Sequence, residues 1–204
     1  MLNSPRLVAL HLLHERGLRA PYNGLAAIPD TITTLQASQA WNSSGAFDSH
    51  SKLFDHLPRL IHLGTLSGSI STSYPGTLAP HLRSLILWSA REFELLDIPT
   101  LEHLQMSLFQ GDRPGDVQRL TRFLVSRFGP RRLTSLVLGL SHVRDDHLLA
   151  CLSVAPGLVT LQLVFIAGGG TASLTVHCNM LQHPTLLPSL RNLIHGCGVV
   201  QACI

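Results

Sequence analysis

Between Leu133 and Phe165 the chain reads LTSLVLGLSHVRDDHLLACLSVAPGLVTLQLVF. The pattern Leu-x-x-Leu-x-Leu begins at Leu133 and returns at Leu158. Within each copy the second and third leucines stand two residues apart, which puts them on one face of a short strand. The same frame can be laid down eight times, starting at Leu7, Ile32, Leu60, Leu82, Leu101, Leu133, Leu158 and Leu190. Counting from each first residue, the third column is Leu10, Leu35, Leu63, Leu85, Leu104, Leu136, Leu161 and Leu193. Only 40 of the 204 residues are leucine, so eight leucines in one column carry information. The fifth column is looser: Ala37, Thr65 and His195 make the second, third and eighth frames the weakest.

One such strand cannot bury its own apolar face, so the units are expected to stack, with the chain returning on the outer side. Residues 114–129 predict a returning helix. Pro114 suits its first turn, Leu120, Phe123, Leu124 and Phe128 make its stripe, and Gly129-Pro130 ends it. Residues 144–156 predict a second, capped by Asp145 or Asp146, striped by Leu148, Leu149 and Leu152, and ended by Pro156. A third, shorter helix is expected over 49–58.

The frame spacings are 25, 28, 22, 19, 32, 25 and 32 residues, and four of the seven fall in the range of about 20–29 typical of leucine-rich repeats. The expected fold class is α/β, an irregular leucine-rich-repeat solenoid. Short parallel strands line its concave side, and helices or loops its convex side. It forms a single array over 1–204, best defined at 82–165, with an atypical C-terminus over 197–204. The segments DDHLLACLSVAPGLVTLQL, HLPRLIHL and LLPSLRNL resemble the irregular leucine-rich repeats of F-box proteins of fungal type. There a helix ends in a Leu-Pro or Ala-Pro step that leads into the next strand. The resemblance implies a substrate receptor whose repeats select targets for ubiquitination. It departs from the family in two respects. The usual Asn or Cys eight residues after the first leucine is missing from every frame, so no continuous asparagine ladder is expected. No F-box segment precedes the frames, so a ubiquitin-ligase adaptor is expected only if a longer form carries one. The apolar ending GCGVVQACI, where a solenoid wants a polar cap, suggests a truncated product or a fragment of a longer protein.

Composition narrows the function. The chain is 45% hydrophobic and 13% charged with net charge +3, too little for a strong nucleic-acid footprint. No apolar run reaches the roughly 18 residues that span a bilayer. Arg6, Arg16 and Arg19, with Glu15 the sole acid among them, would suit a transit peptide, but the same residues fit the first frame. The four cysteines lack C-x-x-C spacing, which suggests a reduced chain in cytoplasm or nucleus. No cofactor is expected. His177, Cys178 and His183 lack the paired spacing of a zinc site, and Asp145-Asp146 suits a helix start better than a catalytic pair. Arg127, Arg131 and Arg132 are expected to form a solvated basic turn.

The informative side chains are those facing away from the core. The second column holds Ala9, Thr34, His62, Ser84, His103, Ser135, Thr160 and Asn192, all small or polar. The fourth holds His11, Gln36, Gly64, Ile86, Gln105, Val137, Gln162 and Ile194. The expected partner-binding residues are His62, Ser84, Ile86, Trp88, His103, Gln105, Thr160 and Gln162. Ile86 and Trp88 should be exposed, with Trp88 anchoring a protein partner or else tucked under a neighbouring loop. The leading expectation is a non-enzymatic protein-binding scaffold. The alternatives are an α/β nucleotide- or phosphate-binding enzyme using the Gly168–Gly170 loop, and a degenerate product without stable function.

Overall fold

The computed structural model describes residues 7–12, 28–37, 54–65, 77–87, 96–110, 114–125, 132–141, 145–165 and 185–197. Its strands are β1 (Ala9–Leu12), β2 (Thr34–Ala37), β3 (His62–Thr65), β4 (Thr77–Leu78), β5 (Ser84–Leu87), β6 (Leu96–Asp97), β7 (His103–Gln110), β8 (Ser135–Ser141), β9 (Thr160–Phe165) and β10 (Asn192–Cys197). Helix α1 is Pro114–Val125 and helix α2 is Asp145–Leu152. Eight strands form one open parallel sheet in the order β1-β2-β3-β5-β7-β8-β9-β10. The strands follow one another along the chain without reversal, a solenoid-like α/β arrangement.

Each of the eight frames supplies one strand, and the frames align without slippage at their centres. Leu10 pairs with Leu35, Leu35 with Leu63, and so on through Leu85, Leu104, Leu136 and Leu161 to Leu193. The register is set by burial. A slip of one residue would turn every third-column leucine to solvent. From Leu35 to Leu161 that column is buried, while Leu10 and Leu193, in the end strands, are partly buried. The one irregularity lies between Met106 and Phe109, where β7 gains a residue against β8.

Two backbone devices repeat along the array. The first is a turn entering the strand. In Leu57-Pro58-Arg59-Leu60, Ala79-Pro80-His81-Leu82, Ile98-Pro99-Thr100-Leu101, Ala155-Pro156-Gly157-Leu158 and Leu187-Pro188-Ser189-Leu190, the fourth N–H donates to the first carbonyl at 3.0 to 3.2 Å. Proline presets φ at the second turn position. The first residue of each turn is buried, so the turn also pins its strand to the core.

The second device is a carbonyl ladder. The carbonyl of Val8 accepts the N–H groups of both Thr33 and Thr34. Thr33, Ile61, Arg83, Glu102, Thr134 and Val159 repeat this toward the next strand, at 2.8 to 3.1 Å throughout. Stacking among the described residues is thus carried by main chain, which does not require the missing asparagines. β4 and β6 form a separate two-stranded parallel sheet five residues ahead of Leu82 and Leu101.

The helices cover the leucine side. Val117, Leu120 and Phe123 of α1 and Leu148, Cys151 and Leu152 of α2 join the strand leucines in one core, with Leu124 and Leu149 packed against it. The stripes therefore lie where the periodicity placed them, but the ends differ. α2 opens at Asp145, which puts both aspartates in the first turn, where the helix dipole favours negative charge, rather than at the cap. It stops at Leu152, and Pro156 belongs to the following turn. α1 ends at Val125; Phe128, Gly129, Pro130 and the basic turn residues Arg127 and Arg131 lie outside the described residues. Residues 54–56 are helical, and the rest of the expected 49–53 stretch lies outside them as well.

Candidate functional site

Leucine burial on one side of the sheet leaves the other side open, because neighbouring side chains on a strand point to opposite faces. The second and fourth columns share this open face. His62, Ser84, His103, Ser135 and Thr160 stand in line across β3, β5, β7, β8 and β9. Gly64, Ile86, Gln105, Val137 and Gln162 form the parallel line beside them. Seven of the eight sequence-predicted binding residues are therefore brought together on one surface. Trp88 lies outside the described residues, as do Gly168–Gly170, His177, Cys178 and His183.

The second column matches its expected solvent-facing character. His62 and His103 are exposed, and Ser84, Ser135 and Thr160 are half-buried. Asn192 Nδ2 donates to Thr160 Oγ1 at 3.2 Å, so this end of the line is hydrogen-bonded across strands.

The fourth column corrects one expectation. Ile86 is only 8% exposed, not the open apolar contact foreseen for it. The cause is its neighbour Gly64, which has no side chain to hold the adjacent ones apart. A β-carbon placed there would sit 3.2 Å from Gln36 Cγ and 3.7 Å from Ile86 Cδ1. Gln36 and Ile86 therefore close over the glycine, and both are buried. Gln105 is also buried, at 9% exposure, while Gln162 is half-buried.

These two buried glutamines differ in how they are satisfied. His11 Nδ1 donates to Gln36 Oε1 at 2.8 Å, which requires a proton on Nδ1. Gln105 Nε2 is buried without a hydrogen-bond partner among the described residues. Its register neighbours on the face are Ile86 and Val137, neither of which offers a side-chain acceptor.

The expected residues omit His11, Gln36, Ser135 and Val137, which lie on the same two lines. The signal that would have found them was already the column itself. Gly64 was harder to weigh, since its effect is to bury its neighbours and no pattern of polarity reports that.

Among the described residues, no three His, Cys, Asp or Glu side chains are grouped to hold a metal ion. No described helix is long and apolar enough to cross a membrane. No family model, curated protein or solved structure matches the chain.

Proposed function

We propose that this chain is a non-enzymatic protein-binding scaffold, an irregular leucine-rich-repeat array that takes its partner on the open face of the eight-stranded sheet. The observation that carries the reading is the unbroken register of His62, Ser84, His103, Ser135 and Thr160, five short polar side chains in line on a rigid support. A sheet whose other face is packed loses little conformational freedom when such a row is engaged, and this favours recognition. The resemblance of the frames to F-box-type repeats adds a class of partner, a protein selected for ubiquitination. It also implies work in cytoplasm or nucleus, with a ligase adaptor joining through a longer form that carries an F-box.

Affinity purification from the native cell tests this, comparing the tagged wild type with His103→Glu on the open face and Arg122→Glu on α1. Proteins recovered with the wild type and Arg122→Glu, but lost from His103→Glu, are expected. Adaptor and cullin subunits among them would place the chain in a ubiquitin ligase. A recovered set indifferent to His103→Glu would refute the face as the binding surface.

A further inference from the structure

Among the described residues, the two lines of the open face carry no fixed charge. Across all eight strands, the second and fourth columns contain no Asp, Glu, Lys or Arg. Charges occur immediately beside them, in the first column, where Arg83 lies 3.6 Å from Glu102 and Arg191 is exposed. Solvent-facing positions without a packing task are where charged residues ordinarily accumulate. Here the neutral zone takes in the second column, where His62 and His103 are exposed, as well as the fourth, where Gln36, Ile86 and Gln105 are buried.

The centre of that zone holds Gln105, nine-tenths buried, with its Nε2 donor unused among the described residues. An unmade hydrogen bond in an apolar setting costs free energy that an incoming acceptor can recover. The terminal torsion of glutamine is soft, so an acceptor laid across the face beside His103 can take that N–H. A charged group seated between the two lines would shed part of its hydration and gain no counter-charge from either of them, which disfavours it whatever its sign.

We propose that the open face selects an uncharged stretch of polypeptide, read through amide and hydroxyl hydrogen bonds, with Gln105 donating to a carbonyl of the partner. This rests on the protein-binding role proposed above. Uncharged polypeptide supplies the complementary chemistry, since its main chain offers carbonyls and N–H groups without charge.

The test is a display library of random linear peptides, selected on the purified chain at low and at high salt. Bound peptides should be depleted several-fold in Asp, Glu, Lys and Arg relative to the input, and their affinity should not change with salt. Ser135→Glu and Ser135→Lys should both weaken binding, and Gln105→Met should weaken it about tenfold while leaving thermal stability equal or higher. That split separates a donor to the partner from a structural role. Thr160→Lys serves as a second surface variant if a Ser135 variant fails to fold. Charged, salt-sensitive peptides that still require the open face would overturn the inference and leave the scaffold reading standing. No enrichment, or binding indifferent to Ser135 and Thr160 variants, would overturn both.

Discussion

Leu136 sits in the middle of the third column, fully buried between Leu104 and Leu161. Leu10 occupies the equivalent place in β1 with one neighbouring strand, and is only partly buried. The two positions have the same side chain and the same role in the frame, yet they differ in how many atoms surround them. Leu136→Ala is expected to cost about 2–5 kcal/mol, transfer and cavity terms together. Leu10→Ala should cost distinctly less, because its site is already partly open to water and can relax. Urea unfolding of the two variants beside the wild type checks the difference. Equal costs would mean that the third column does not form one graded core.

Helices α1 and α2 meet where Cys151 packs, and Thr121 of α1 lies within hydrogen-bond reach of its thiol. Thr121 Oγ1 also donates to the carbonyl of Val117 one turn back at 2.8 Å. Burial pushes the thiol from its ordinary 9.0 up to about 11, with the Thr121 bond pulling partly the other way. The unfolded chain therefore loses this proton first as pH rises. Cys151 contributes its full stabilisation below pH 9, and that share is lost as pH climbs toward 11. The loss should amount to about 2–3 kcal/mol at most. Unfolding free energies measured across that window should fall more steeply for the wild type than for Cys151→Ala. Parallel curves would show that the thiol is not desolvated at the helix contact.

At the scale of the whole molecule, each strand of the sheet is hydrogen-bonded to its neighbours in chain order, and the third-column leucines stay in register from β1 to β10 despite the extra residue in β7. Stability in such an array is approximately a sum of units and interfaces, so the ends open first. Both ends expose apolar side chains, Val8 at 53% beside β1 and Ile194 at 46% in β10, although Val125 at the end of α1 is exposed as well. Amide hydrogen exchange should be slowest in β8 and β9, whose leucines are fully buried, and fastest in β1 and β10. Uniform protection across all eight strands would show a single cooperative block instead.

The sequence by itself determined the eight strands of the main sheet, though not β4 and β6, which no frame marks. Eight frames with leucine in one column became eight strands in parallel register, because alternation decides which side chains face the core and burial forbids a slip. It also determined the helix stripes and the polar character of the second column. Helix ends were less legible, since Pro156 reads as a stop signal along the chain but serves the turn that starts the next strand. Burial on the open face was decided only by the tertiary structure. Ile86 and Gln36 are hidden because strands distant in sequence bring them to either side of Gly64, and no local pattern records what a missing side chain allows its neighbours to do. The same holds for the two buried glutamines of the fourth column: Gln36 Oε1 is paired with His11 from the preceding strand, whereas Gln105 lies between Ile86 and Val137 with its donor unspent among the described residues.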